Sequence, residues 1–257
     1  MKKTLTILLM LSGVFAAAAQ AQQTDTLRLP KDDTITVTAV RFPSLDSLTV
    51  TGWEFKGKTS DPWILLCHQA RYSKGEYLET GPQLAKLGYN CLAIDQRSGK
   101  IANGIENETA EAAEKAKKET GFADAEQDIV AALNYIYAAT KKPVILVGSS
   151  YSAALVLKVA ATYPEKVKSV ISFSPGEYFT GKFKIADYCK KLTMPVFMTS
   201  SRNESSDLKN LFNTVPGKNK TIFIPASEGK HGSKAIWPVS ECRQEYWDAL
   251  IDFLRGC

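Results

Sequence analysis

Gly148-Ser149-Ser150-Tyr151-Ser152 separates two apolar runs, residues 143–147 and 153–160. Where a strand passes directly into a helix, the residue at the apex is held in strained backbone geometry with its side chain presented outward. Small residues two before and two after the apex let the strand and the helix pass closely. Gly148 and Ser152 straddle Ser150, which makes Ser150 a candidate nucleophile and Ser149 its neighbour. The same pentapeptide would also suit a serine N-cap for the following helix. The context, a buried strand before and an all-round apolar helix after, favours the nucleophile.

A serine nucleophile needs a base, and the base needs an acid to orient it. The sequence holds two histidines, His68 and His231. His231 lies in a Gly-flanked loop between the last apolar strand and the last helix, where it can turn back over a sheet without core burial. A solvated loop histidine would look the same without the serine in view. His68 follows a buried strand and precedes Gln69-Ala70-Arg71, a position suited to backbone amides that face an oxyanion. The acid is expected between serine and histidine in chain order. Residues 194–207 read as a strand and a polar loop with two carboxylates, Glu204 and Asp207. Glu204 is preferred, because a strand-end loop brings it to the histidine Nδ1, with Asp207 the alternative and Glu177 third. Arg71 would hold a substrate carboxylate bidentately, or be an ordinary surface arginine; Gln69 is a second possible substrate contact.

These residues require an alternating scaffold. Residues 35–54 alternate apolar and polar around Pro43-Ser44-Leu45-Asp46, which predicts two antiparallel strands. Pro62–Ala70 and Tyr89–Gly99 contain continuous apolar runs that suit strands buried on both faces. A helix over 77–89 would use Leu78, Leu84 and Leu87. Residues 100–122 are polar and Ala/Glu/Lys-rich, a partly helical surface insertion. Ile129, Ala132, Leu133, Ile136 and Tyr137 form a helical stripe. There follow strand 143–148, helix 151–162, strand 167–173, a short helix near 184–191, strand 195–200, helix 205–213, strand 220–225 and a final helix 240–254. Strands alternating with helices after an antiparallel opening predict an α/β protein with a mostly parallel sheet. Its ligand site would lie at the carboxyl ends of the strands.

Gly52–Thr59 matches the phosphate-loop pattern G-x-x-x-x-G-K-[ST]. That mechanism needs a strand before the pattern and a helix after it. Here Trp53, Glu54 and Phe55 continue a strand, Glu54 would repel phosphate, and another strand follows. A hairpin turn at Gly57-Lys58 is the expectation instead.

Residues 1–21 carry Lys2 and Lys3, an apolar stretch and Ala19-Gln20-Ala21, the pattern of a cleaved secretory signal. The expected organisation is therefore a signal peptide, 1–21, and one domain, 22–257, exported to the periplasm or beyond. No later run is long enough to span a bilayer. Net charge is +5 and falls to +3 without Lys2 and Lys3, too mild to argue for nucleic acid or an anionic membrane. Apolar residues make up 44% and charged residues 23%, ordinary for a globular chain, so a sizeable core is available. Five cysteines in a chain of this length are no disulfide framework. Cys67 and Cys91 read as buried hydrophobes; Cys242 and Cys257 flank the last helix, whose length opposes pairing. No Cys-x-x-Cys or His-rich spacing suggests a metal, and the chemistry calls for no cofactor.

In their order, Ile64–Ala70, Leu92–Gly99, Gly148–Ser152, Met194–Glu204 and Gly229–Gly232 resemble the α/β-hydrolase superfamily, in its compact dienelactone-hydrolase-like and esterase-like branch. The likeness covers about the whole chain after residue 21. It implies a mostly parallel eight-stranded sheet flanked by helices, and a Ser150–His231–Glu204 triad. It also implies an oxyanion hole from the amides of Tyr151 and Ala70. Three positions depart from the family pattern: Gln69 stands where glycine is usual, Ser152 replaces the second glycine of the elbow, and Glu replaces the more usual Asp. The short connection between strands 167–173 and 195–200 leaves no room for a large cap domain, so the insertion 100–122 is the segment expected to shade the pocket. The expected activity is hydrolysis of a carboxylic ester, on a small-molecule or polymer substrate. The rival readings are a serine peptidase of the same fold and an exported binding protein that keeps the fold without catalysis.

Overall fold

The computed structural model describes residues 35–57 and 62–257. The expected signal segment 1–21, and Lys58 and Thr59 of the phosphate-loop-like stretch, lie outside the described residues. In chain order the elements are β1 (Thr36–Pro43), β2 (Thr49–Lys56), β3 (Trp63–Cys67), α1 (Thr80–Lys86), β4 (Asn90–Ile94), β5 (Ile101–Ala102), β6 (Ile105–Glu106), α2 (Glu108–Lys115) and α3 (Glu126–Thr140). They continue with β7 (Val144–Ser149), α4 (Tyr151–Thr162), β8 (Val167–Phe173), α5 (Ile185–Cys189), β9 (Val196–Thr199), α6 (Ser205–Thr214), β10 (Lys220–Phe223) and α7 (Arg243–Arg255).

Eight of these strands form one sheet in the order β1-β2-β4-β3-β7-β8-β9-β10. The β1–β2 and β2–β4 pairs are antiparallel, and every pair from β4 to β10 is parallel. This is the predicted α/β-hydrolase architecture, with helices on both faces and, among the described residues, no large cap domain. The central strands read as unbroken apolar runs because both faces are covered. Leu65, Cys67, Leu92, Ile94 and Leu146 pack with α3 and α4 on one side. Ile64, Leu66, Cys91, Ala93 and Ile145 pack with α1 and α7 on the other. Each large aliphatic side chain so buried contributes about 1.5–3 kcal/mol.

From β3 the chain moves outward to β4 and then returns to β7 on the opposite flank of β3. The order therefore reverses between β3 and β7, and the crevice at their carboxyl ends is the place for a ligand. His68 and Ser150 follow these two strands.

Two expectations are corrected. Gly57 opens no hairpin: β2 pairs with β1 and β4, while β3 lies beyond β4, so the link from β2 to β3 crosses a strand. Alternation identified the strand but not its neighbour. Leu87 is 48% exposed at the end of α1, and Leu84 alone of the three leucines proposed for that helix is fully buried. Segment 100–122 packs over β2 through α2. Asn107 caps α2 by accepting the Ala110 amide at 2.7 Å, and Glu108 pairs with Arg41 and Lys74.

Beneath the crevice, Asp95 and Arg97 anchor loops. Arg97, 1% exposed, donates to Asp128 Oδ1 at 2.8 Å and to Asp46 Oδ1 at 2.9 Å. Asp95 accepts from the buried Lys74 Nζ at 2.7 Å. All five cysteines are free, and four are buried; burial pushes the thiols of Cys67 and Cys91 far up.

Candidate active site

β7 delivers Ser150 at φ 58°, ψ −123°, a left-handed conformation that an L-residue adopts at a cost. The turn is held by the Ser150 amide, which donates to Phe173 O at 2.8 Å. Gly148 is required by close approach: a Cβ there would lie 2.4 Å from Ser152 O and 2.6 Å from Ala153 Cα. The Ser150 hydroxyl makes no capping bond to α4, so the N-cap alternative is discarded. Its Oγ instead lies 2.9 Å from His231 Nε2.

His231 Nδ1 is hydrogen-bonded to Glu204 Oε1. Glu204 ends a short turn after β9 and forms a capping box with Ser201. Its Oε2 accepts from the Ser201 hydroxyl at 2.6 Å and the Ser174 hydroxyl at 2.8 Å. Burial by itself would raise this carboxyl; the bonds from His231, Ser201 and Ser174 outweigh it and hold the group at about 2. Asp207 lies on the exposed first turn of α6 and lines a neighbouring cleft, with no bond to His231. Glu177 accepts the amides of Ile185 and Ala186 at the start of α5. Of the three carboxylates considered, Glu204 is the one at the imidazole.

Ser174, at φ 56°, was not singled out by sequence. Its hydroxyl also accepts the Gly232 amide at 3.0 Å, so one side chain braces both the acid and the histidine loop. Tyr178 was missed as well. Its hydroxyl donates to Ser174 O at 2.9 Å; burial pushes the phenol up. A polar strand end after β8 is the signal that would have marked this segment.

On the β3 side, the buried His68 is locked. Its Nδ1 bonds to Gln69 O at 2.8 Å, and Nε2 accepts the Gln96 amide at 3.0 Å; burial lowers its pKa. These contacts make it a loop anchor. The Gln69 amide donates to Glu76 Oε2 at 2.6 Å. The amides of Ala70 and Tyr151 have no protein acceptor among the described residues. Arg71 is exposed at φ 65°, and the buried Gln69 Oε1 has no hydrogen-bond partner among the described residues. Ser152 has a use for its hydroxyl: Oγ donates to His68 O at 2.6 Å and accepts from Gln96 Nε2 at 2.5 Å. The departure from glycine ties α4 to the loop after β3.

A cleft of about 520 Å³ adjoins Glu204, lined by Pro175, Glu177, Tyr178, Asp207, Asn210 and Leu211 among others. Segment 174–186 supplies much of this wall, whereas 100–122 contributes none of it. The insertion reaches the elbow at one point, where Phe122 stacks on Tyr151 with ring centroids 4.6 Å apart. Among the described residues no group of His, Cys, Asp and Glu is arranged to hold a metal ion.

Residues 62–215 match a family model described as the alpha/beta hydrolase fold. The structure resembles the Pyrococcus furiosus esterase Pf2001, with TM-score 0.67 and 17% identity over 86% of this chain and 93% of that one. It resembles a dienelactone hydrolase from Anabaena variabilis, with TM-score 0.66 and 14% identity over 84% and 96% of the two chains. An acylaminoacyl peptidase from Pyrococcus horikoshii gives TM-score 0.65 and 18% identity, over 86% of this chain and 41% of that one. No curated protein matches the sequence. The matched model spans more than half of the chain and takes in the β3 loop, the β7 elbow and the β9 loop described above; the chain belongs to the α/β hydrolase family.

Proposed function

We propose that the protein is a serine hydrolase that cleaves a carboxylic ester through an acyl-enzyme. The observation that carries this reading is the contact of Ser150 Oγ with His231 Nε2 at 2.9 Å on a strained elbow, with Glu204 behind the imidazole. In this reading Ser150 Oγ attacks the ester carbonyl carbon while His231 Nε2 takes its proton. The tetrahedral oxyanion lies between the amides of Tyr151 and Ala70, which have no protein acceptor among the described residues. Collapse expels the alcohol, protonated by His231. Water, deprotonated by the same nitrogen, then releases the carboxylic acid and restores the serine. Glu204 fixes the tautomer and stabilises the imidazolium; its lowered pKa supports a carboxylate ionised throughout the working range.

Arg71 and Gln69 are proposed as contacts to the substrate rim. The substrate is a small-molecule or polymer ester, and the pattern of residues 1–21 supports export before it acts. The test is a panel of chromogenic esters together with a fluorophosphonate probe. Ser150→Ala is expected to lose the label and to lose turnover by roughly 10⁴-fold or more, while Ser149→Ala keeps the label on Ser150. Near-normal turnover in Ser150→Ala would remove the proposal, and a wild-type chain that takes no label would favour the binding-protein reading. Arg71→Ala is expected to weaken the preference for anionic over neutral esters; an unchanged preference dismisses that role.

A further inference from the structure

Glu76 is a buried carboxylate that no step of the proposed mechanism uses. It is 1% exposed and lies in the turn Lys74–Tyr77 after the β3 loop. Its oxygens serve separate segments. Oε2 accepts the Gln69 amide at 2.6 Å, one residue before the Ala70 amide. Oε1 accepts the Ser233 hydroxyl at 2.5 Å, two residues past His231 and 157 positions along the chain. Ser149 Oγ accepts the Ser233 amide at 2.9 Å, which ties the elbow to the same residue.

Packing brings the same three segments together independently. Gly232, at φ 65°, has no room for a side chain: a Cβ would lie 2.5 Å from Ser149 Oγ and 2.6 Å from Gln69 Oε1. The residue next to His231 is thus wedged between the elbow and the loop that carries the Ala70 amide.

We propose that Glu76 is a positioning residue: one carboxylate holds the Ala70 loop, the Ser150 elbow and the His231 loop in common register. An ionised carboxylate is suited to this, because it only accepts and has lone pairs for several donors. A carboxamide of the same shape would turn an NH₂ toward one of those donors. Burial raises the pKa of the group, which the bonds from Ser233 and Gln69 and the charge of Lys234 oppose. Displacements of about 1 Å between reacting groups cost on the order of 100-fold in rate, so a shared fastening for oxyanion donor and base acts on kcat.

The kinetic arm of the test rests on the ester-hydrolase reading; the exchange arm does not. Steady-state hydrolysis of p-nitrophenyl acetate is compared for the wild type, Glu76→Gln, Ser233→Ala and the double variant, alongside hydrogen exchange at the Gln69 amide. Glu76→Gln is expected to lower kcat by about 10–100-fold with KM little changed, and to speed exchange at Gln69. Adding Ser233→Ala to Glu76→Gln is expected to cost less than the two single losses combined, because the variants share the Glu76–Ser233 link. Wild-type kcat in Glu76→Gln, independent losses in the double variant, or unchanged exchange at Gln69 would each overturn the inference. If Glu76→Gln fails to fold, Ser233→Ala decides: a lower kcat at unchanged KM supports the link, and wild-type kcat refutes it. A chain inactive on every ester whose Gln69 exchange still responds to Glu76→Gln rejects the hydrolase reading while retaining the fastening.

Discussion

Ser152→Ala tests whether the serine that replaces the elbow's second glycine is structural. The hydroxyl sits between two buried groups, His68 O at 2.6 Å and Gln96 Nε2 at 2.5 Å. On its removal Gln96 Nε2 keeps the Tyr151 hydroxyl at 3.1 Å, but the His68 carbonyl is left without a donor. A buried acceptor left unpaired costs about 1–3 kcal/mol. Alanine returns about 0.5 kcal/mol through its higher helix propensity. The net loss is about 0.5–2.5 kcal/mol, which corresponds to a fall in Tm of roughly 1–10 °C for a domain of this size. Ser152→Gly restores the pattern usual in the family and is expected to lie lower still, by a further ~0.4–1 kcal/mol, because glycine gives the unfolded chain more conformational freedom to lose than alanine. The measurement is two-state urea unfolding with thermal melts of the three proteins. The expected order is Ser, then Ala, then Gly. A glycine variant as stable as the wild type would show that the hydroxyl bridge contributes nothing and would refute the reasoning.

Glu204 links stability to pH. Its carboxyl falls from the usual 4.5 to about 2 on folding, so its contribution is complete above the unfolded value and is lost as pH falls through the folded one. The difference in Tm between the wild type and Glu204→Gln is expected to shrink between those two values; a difference independent of pH in that window contradicts the assignment. Gly232→Ala combines left-handed strain of about 1–2 kcal/mol with overpacking of about 1–3 kcal/mol and displaces His231. Its urea midpoint and ester turnover are both expected to fall sharply, and a wild-type midpoint would disprove the steric account. Asp128→Ala leaves the buried Arg97 guanidinium short of its main partner and is expected to cost about 3–5 kcal/mol in urea unfolding; a loss within 1 kcal/mol of zero by the same method would show that the pair is dispensable.

The central sheet was legible because two-sided burial leaves a direct trace in sequence: Ile64–Cys67, Cys91–Ile94 and Val144–Val147 are continuous apolar runs. Ser150 was legible because a strand-to-helix turn needs small residues around its apex, and Gly148 meets that need sterically. His231 and Glu204 followed from chain order, since each hangs from a strand end. The partner of β2 was not legible, because alternation records which face is buried and not which strand lies alongside. Ser174 and Glu76 were equally silent. Each is a common polar residue whose role arises only when β3, β8 and the His231 loop converge, and no local pattern encodes that meeting. Ser152 was read as a weakened motif because its acceptor, His68 O, lies 84 positions away.

The sheet grades from centre to rim, and the site spans that gradient. Ser150 follows β7, buried along its whole length between two neighbours. His231 follows β10, the outermost strand, partly solvated and paired along one side. Rim strands breathe at lower free energy than central ones. On that gradient the loop of His231 is expected to open at a lower free energy than the elbow of Ser150, so the contact between the two side chains is expected to part before the interior does.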